Sequence, residues 1–403
     1  MLVYFTVENY LSYKDKVTLN MVSSSDRSLP ANQINLDQEG KNSLLKIAAI
    51  YGANASGKTN LIRALGFLRD LVLTSHQKGD IIDTSPFKLD EQSEKSPSHF
   101  EVSFIAKDIK YVYGLSVDKN VIHKEYLYSY PRGRKSVIFE RWDTDSYRFT
   151  KDKEEQETLS KRTLPNQLYL STATQWNYAG TANVFDWFKH TLKGMASGSP
   201  FSTAQLLEQE DEKKEILAFL READLGIMDV KSELKSYKDH VFPKDFPEEL
   251  RTWMGKANHL EITFSHRGLD MNKQHKEVLF DSNDESNGTN RMFNLAGPLL
   301  RTLSHEGILL IDELESSLHP NLVEHLLRQF NERSNLSQLI FTTHNSRILS
   351  LDILRKDQVW ITEKLESGST DLYPLSDIQG IRKNHNIEKG YLAGKYGGVP
   401  YLD

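Results

Sequence analysis

The sequence predicts an α/β fold built around a phosphate-binding loop, and three observations carry that prediction. An apolar segment from Ile47 to Tyr51 runs into Gly52-Ala53-Asn54-Ala55-Ser56-Gly57-Lys58-Thr59, and an amphipathic stretch from Asn60 to Leu71 follows. That order is strand, glycine-rich loop, helix. A second apolar run, Gly307 to Ile311, ends in two acids, Asp312 and Glu313. Between the two lie short alternating segments that read as half-buried antiparallel strands.

Taken in order, residues 1–21 read as a hairpin around the polar turn Asn9 to Asp15, and Ser23 to Asn42 as a loop. The phosphate loop follows, with Asn60 opening its helix. Glycines let successive N–H groups turn inward around phosphates, Lys58 brings a mobile cation to the β/γ oxygens, and the Thr59 hydroxyl suits Mg²⁺. A nucleoside triphosphate is the ligand this chemistry selects. Alternation returns in Phe100–Ile105, Tyr111–Val117, Glu125–Tyr128 and Val137–Glu140, an antiparallel meander. From Lys153 the spacing turns helical, with Val184 to Phe188 and Leu206 to Leu220 forming apolar faces, and Leu168 to Ser171 read as strand-like. Strand signals resume at Leu260–Phe264 and Glu277–Phe280. The expected domains are residues 1–150 as an N-terminal lobe, 151–255 as an inserted helical subdomain and 256–403 as a C-terminal lobe.

Asp312 and Glu313 stand at the C-terminal end of a buried strand, where open α/β sheets present ligands. Asp312 is the expected metal support, and Glu313 the group that polarises water for attack on the γ-phosphorus. Ser286-Asn287-Gly288-Thr289 precedes the apolar helix Met292 to Leu303, so Ser286 and Gly288 offer a second anion-binding helix end; an N-cap alone is the plainer reading. His344 follows the strand Gln338 to Thr343, within reach of a γ-phosphate.

Bulk properties narrow the setting. Of 403 residues, 38% are hydrophobic and 26% charged, the balance of a globular protein. There are no cysteines, which excludes disulfides and thiolate sites. The net charge of −6 does not advertise nucleic-acid binding. No apolar run approaches a membrane span and no export signal is read, so the expected compartment is the cytoplasm.

In this order, Gly52–Thr59, Ser286–Thr289, Ile308–Glu313, Ser317-Leu318-His319-Pro320 and His344 resemble the ABC-class head domain shared by SMC, RecF and the overcoming-lysogenization-defect ATPases. The match is closest to the RloA-like family, similar to the ATPase subunit of the PARIS phage-defence system. Phe5 to Tyr13 resembles that family's opening strand and turn, and Tyr391 to Pro400 its C-terminal signature. The resemblance implies a P-loop NTPase of the ABC/SMC-head type: a mixed central sheet, an antiparallel β-subdomain and an inserted helical subdomain. It also implies a homodimer or larger homo-oligomer, in which ATP lies between Lys58 and Thr59 of one copy and Ser286, Asn287, Gly288 and Thr289 of another.

The signature reads Glu-Ser-Asn-Gly-Thr rather than the transporter form Leu-Ser-Gly-Gly-Gln. The Mg²⁺-sensing glutamine usual in the class has no distinctive motif here. Gln175 is the candidate, and an ordinary polar helix residue is the alternative. Ser12-Tyr13-Lys14 is read as a surface turn, or as a neighbour of the nucleotide base. Too few residues follow His344 for an appended Toprim nuclease, so a separately encoded effector, a Toprim-type nuclease among the options, is the expected partner. Arg382-Lys383-Asn384-His385 is a small basic stretch. The expectation is thus a Mg²⁺-dependent ATPase gating an effector in bacterial anti-phage defence, with a RecF-like DNA-binding ATPase or a scaffold that barely turns over as alternatives.

Overall fold

The computed structural model describes residues 1–37, 42–74, 77–196, 199–223, 226–236, 258–382 and 385–400. In chain order the strands begin with β1 (Leu2–Glu8), β2 (Val17–Asn20), β3 (Gln33–Asn35), β4 (Ser43–Leu45) and β5 (Ile47–Gly52). The helix Lys58–Leu73 follows. Then come β6 (Ser98–Ala106), β7 (Ile109–Val117), β8 (Ile122–Tyr130), β9 (Ser136–Trp142), β10 (Ser146–Phe149) and β11 (Leu192–Ala196). The rest are β12 (Ile227–Ser236), β13 (Asn258–Leu269), β14 (His275–Asp281), β15 (Ile308–Ile311), β16 (Gln338–Thr342), β17 (Val359–Lys364) and β18 (Thr370–Pro374).

Two units emerge. The first comprises Met1–Met195, Thr302–Glu315 and Val323–Asp403, and holds two large sheets. Its central sheet runs β11-β15-β16-β5-β17-β18, with β15, β16, β5 and β17 parallel and β18 antiparallel at the edge. Every residue of β5 and of β15 is buried, which is why both read as unbroken apolar runs. The other sheet, β10-β9-β8-β7-β6-β1-β2, is the expected antiparallel meander, closed by the β1–β2 hairpin. Its inner face contributes Phe5, Phe100, Val102 and Leu127 to the core. Its outer face carries half-buried tyrosines, with the Tyr4 and Tyr128 phenols donating to Glu101 and Glu140 at 2.9 and 2.8 Å.

The helix Lys58–Leu73 fills the space between the sheets. Leu61, Leu65 and Leu68 repeat at helical spacing and share one core with Phe100 of the antiparallel sheet and with Ile50, Leu310 and Ile340 of the central one. Gln338, fully buried on β16, ties the sheets together: its Oε1 accepts the Leu2 amide at 2.5 Å and its Nε2 donates to the Leu2 and Leu45 carbonyls, both at 3.0 Å.

The second unit, Ala196–Arg301 with Ser316–Leu322, holds the three-stranded sheet β12-β13-β14, the helix Glu210–Glu222 and most of the helix Asn287–Ser304. The expected division at 151–255 is therefore corrected. Helices Lys153–Ser160, Tyr169–Gln175 and Ala179–Asp186 belong to the first unit, because Leu159, Leu168, Leu170, Val184 and Trp187 pack into the core of the antiparallel sheet. Apolar spacing reports a helix but not the surface it packs on. The inserted unit is also not purely helical, and residues 237–257 of the expected insertion lie outside the described residues.

Leu168 to Ser171, read as strand-like, opens a helix instead. Glu125 on β8 explains the difference: its carboxylate accepts the Tyr169 and Leu170 amides at 2.6 and 3.0 Å, capping the helix from a distant strand. Glu125 is fully buried, also accepts a hydrogen bond from the Tyr113 phenol at 2.9 Å, and lies 3.6 Å from Arg141. Burial pushes its pKa above the ordinary value, while Arg141 and these hydrogen bonds hold it down. Glu125→Ala is expected to lower unfolding stability by about 3–5 kcal/mol, since it strands a buried guanidinium and two helix amides. Urea denaturation followed by circular dichroism measures the loss, and Glu125→Gln, which keeps a carbonyl acceptor, should lose less.

Candidate functional site

The site gathers where the parallel strands end. β5 delivers the loop Gly52–Thr59, whose turn is set by backbone conformation: Ala55 has φ 60° and Gly57 φ 106°. At Gly57 only glycine fits, because an added Cβ would collide with Thr370 Oγ1 and sit 2.7 Å from Ser12 Oγ. Gly57 is the N-cap of the helix Lys58–Leu73, so the first helical amides open toward the loop. Asn54 and Ala55 at the crest are exposed; Ser56 and Lys58 are buried.

Lys58 Nζ donates to the carbonyls of Gly52 and Ala53 at 2.9 and 2.8 Å, which curls the loop around it. Burial lowers its pKa to about 8, opposed by the negative charge of Glu315, Asp312 and Glu313. Three carboxylates thus surround one lysine.

The carboxylates arrive on β15. Asp312 Oδ1 accepts the Thr59 hydroxyl at 3.0 Å and the Thr342 hydroxyl at 2.6 Å. The Glu313 amide donates to the same Thr342 oxygen at 2.8 Å. Glu313 itself has φ 48°, a left-handed backbone that a glutamate rarely adopts, and its residue is exposed. One hydroxyl on the neighbouring strand therefore fixes both acids.

His344 lies beyond β16, its amide donating to Glu315 Oε1. The residue is open to solvent on one side. Packing on the other and the Lys58 charge push the ring pKa below its ordinary value, while Glu315, Glu313 and Asp312 pull upward. The ring is thus held neutral near pH 7, with one N–H to donate.

Several neighbours were invisible in the sequence. Glu315 joins the Lys58 cluster, and its Oε2 is buried without a hydrogen-bond partner. Thr342 follows from strand register: Ile311 pairs with Phe341, so the next residue of β16 stands beside Asp312. Aligning the ends of the two apolar runs would have found it. The turn Ser12-Tyr13-Lys14, read first as surface, is built into the loop. Tyr13 is fully buried with its hydroxyl donating to Gly57 O at 3.0 Å, and Asn60 Nδ2 donates to Ser12 Oγ at 2.8 Å. Lys14 points elsewhere, toward Asp90 at 3.6 Å.

Gln175 is corrected. It is exposed at the C-terminal end of its helix, whose Ser171 donates to Val72 O at 2.7 Å near the far end of Lys58–Leu73. At 1.5 Å per residue that anchor lies roughly 20 Å along the helix from Lys58. The expectation placed Gln175 just after a strand-like Leu168 to Ser171, and that stretch is helical instead. In the basic stretch, Lys383 and Asn384 lie outside the described residues.

In the second unit, Ser286 caps the helix Asn287–Ser304, accepting the Thr289 amide on Oγ at 3.0 Å. Ser286 and Asn287 are exposed and Thr289 is buried. A Cβ on Gly288 would approach Ser317 O to 3.1 Å, so a small residue is required there. Glu285, just upstream, is nearly buried and paired with His266.

The residues of the first unit fit a magnesium nucleotide. Thr59 and Asp312 offer hard oxygens, and Glu315 Oε2 is an unsatisfied buried acceptor in a carboxylate cluster. Among the described residues no group of three His, Asp or Glu side chains could hold a metal alone. Thr59 and Asp312 would be the protein's oxygens for such a metal, and Mg²⁺ is the ion that commonly takes only one or two protein oxygens beside a triphosphate.

A glycine loop on a helix N-terminus, a buried lysine, and a hydroxyl bonded to a carboxylate on a parallel strand define a nucleotide-binding P-loop ATPase. The chain belongs to the family described as "AAA domain, putative AbiEii toxin, Type IV TA system", whose model matches residues 47–350. No curated protein matches the sequence. Among solved structures, the SMC head domain from Thermotoga maritima is 12% identical with a TM-score of 0.40, covering 93% of this chain and 98% of that one. An SmcHead bound to the C-winged helix domain of ScpA is 13% identical at TM-score 0.41, covering 93% and 97%. A Smc head from Pyrococcus furiosus with an extended coiled coil, bound to the C-terminal domain of ScpA, is 12% identical at 0.39, covering 93% and 96%. Likeness at this level leaves the activity to be argued from the site.

Thr342→Val keeps the shape of β16 and removes the hydroxyl shared by Asp312 and Glu313. Losing a hydrogen bond to a charged group costs about 1.5–3 kcal/mol, so phosphate release at saturating ATP should fall roughly 10- to 100-fold with the fold intact.

Proposed function

We propose that this protein is a Mg²⁺-dependent ATPase acting as a pair of copies, with each ATP gripped by one copy's loop and capped by the other's Ser286, Asn287, Gly288 and Thr289. The observation that supports hydrolysis most directly is the 3.0 Å bond from Thr59 to Asp312 beside the buried Lys58. Pairing is supported by the exposed Ser286 at the start of an 18-residue helix, an N-terminus with amides and dipole available to a phosphate.

Bound Mg²⁺-ATP supplies the γ-phosphorus and neutralises the charge that develops on its oxygens. Thr59 and Asp312 would hold the metal. Lys58 exchanges its bonds to Gly52 and Ala53 for phosphate oxygens. Glu313 takes a proton from the attacking water, and its left-handed backbone together with the Thr342 bond fixes where its carboxylate starts. His344, neutral, donates its ring N–H toward the γ-phosphate.

In this reading nucleotide state holds or releases a separately encoded effector, with a Toprim-type nuclease as one form, in bacterial anti-phage defence. The toxin and toxin–antitoxin terms in the family description support that setting. A second reading, a DNA-binding ATPase of genome maintenance, is favoured by one feature. Lys107, Lys110, Arg132, Arg134 and Lys135 are all exposed at one end of the antiparallel sheet, where Lys110 pairs with Tyr130. ATP-dependent, salt-sensitive duplex binding that disappears in Arg132→Glu/Arg134→Glu would select it.

Glu313→Gln should keep ATP affinity, lose at least about 100-fold in turnover and accumulate as dimers by light scattering. Mixing Lys58→Ala with Ser286→Arg copies distinguishes shared from self-contained sites. If sites are shared, each mixed pair retains one intact site, and turnover should recover to about a quarter of wild type. No recovery on mixing would sink the pairing.

A further inference from the structure

The sequence motif left without a role is Tyr391 to Pro400, and the structure shows where it goes. The helix Ile387–Leu392 and the turn after it lie against the phosphate loop and against the segment that follows His344. Tyr391 is buried, its ring set edge-on to Tyr51 at 5.8 Å, and its hydroxyl donates to Gly398 O at 3.0 Å. Gly398, with φ +68°, is packed so closely that an added Cβ would sit 2.6 Å from Ile361 and 3.5 Å from the Gly52 Cα, the first residue of the loop. Gly397, with φ +72°, has no room either: its Cβ would meet the Tyr373 hydroxyl and Glu363, and Tyr373 in turn lies 3.0 Å from Tyr396 O.

The other end of the segment reaches the residues that follow His344. Ser346 Oγ donates to Glu388 Oε1 at 3.0 Å, and Tyr51 donates to the Asn345 carbonyl at 3.3 Å. One short segment therefore packs beside Gly52, where the loop begins, and bonds to Ser346, two residues after His344.

We propose that residues 387–398 form a positioning clamp for the ATP site: Tyr391 acts through Gly398 on Gly52, and Glu388 acts through Ser346 on His344. The inference rests on the ATPase reading above for its effect on turnover, but its contacts stand independently of it. Neither residue touches the reacting atoms. Both set the distance between Gly52, whose carbonyl accepts from the Lys58 ammonium at 2.9 Å, and His344, a geometry in which small misplacements cost rate before affinity.

The test uses the full chain. Tyr391→Phe keeps the ring contact with Tyr51 and deletes the bond to Gly398. It should lower kcat roughly 3- to 10-fold with KM within about twofold, as expected for one neutral hydrogen bond. Glu388→Ala should do the same, and Glu388→Gln, which still accepts from Ser346, should restore near-wild-type turnover. Amide exchange at 52–57 and 344–346 should quicken in Tyr391→Phe and Glu388→Ala and not in Glu388→Gln. Unchanged exchange in those segments overturns the clamp, as does quickened exchange with kcat unaltered in a protein that hydrolyses ATP. If the wild type and Lys58→Ala release phosphate equally slowly, the ATPase reading fails, and exchange alone decides the clamp.

Discussion

The site depends on the parallel register of the central sheet. β15, β16, β5 and β17 run side by side, with Ile311 level with Phe341, Thr342 with Ile50 and Thr362 with Gly52. β15 and β16 stop within one residue of each other, beside the last residues of β5, which puts the residues that follow at one edge. Those residues are Asp312, Thr343 and the phosphate loop, so chemistry from three distant stretches of sequence converges without any of them bending to reach it. A slip of one residue in β15 would turn Asp312 to the opposite face of the sheet.

Around that edge the protein uses hydroxyls as connectors between segments. Thr342 joins Asp312 to Glu313, and Thr362 lies 2.6 Å from Ser56 while donating to Tyr51 O at 3.0 Å. Thr370 donates to Ser56 O at 2.8 Å. A hydroxyl can accept and donate in one place, so each links two backbones where a carboxylate would add charge. The charge is kept instead in the cluster of Asp312, Glu313 and Glu315 around Lys58. Burial weakens the hold of Lys58 on its proton, and the carboxylates strengthen it.

Much of this was legible from residue order. Strand, glycine loop and helix at 47–73, and the apolar run ending in Asp312 and Glu313, lie where the sequence places them, because local spacing determines them. The antiparallel meander was equally plain, since alternation marks a sheet with one wet face. What the sequence hid were long-range partners. Tyr13 reads as a polar turn until Gly57 supplies an acceptor for its hydroxyl. Leu168 to Ser171 has the composition of a strand, and it becomes a helix because Glu125, more than forty residues earlier, caps it. Gln175 failed with that assignment. The helices of 153–186 were assigned to an insertion because periodicity names an apolar face and leaves its neighbour unnamed.

The meeting of Ser12, Gly57 and Thr370 has a consequence for synthesis on the ribosome. Thr370 Oγ1 and Ser12 Oγ are hydrogen-bonded at 2.8 Å across a separation of 358 residues, and both side chains wall the glycine at the base of the phosphate helix. A nascent chain that has released its first half already carries the whole glycine loop but none of β15 to β18. The loop then lacks its flanking strands and two of its hydroxyl supports until translation is nearly finished. A truncated product carrying the intact motif therefore lacks the walls that shape it.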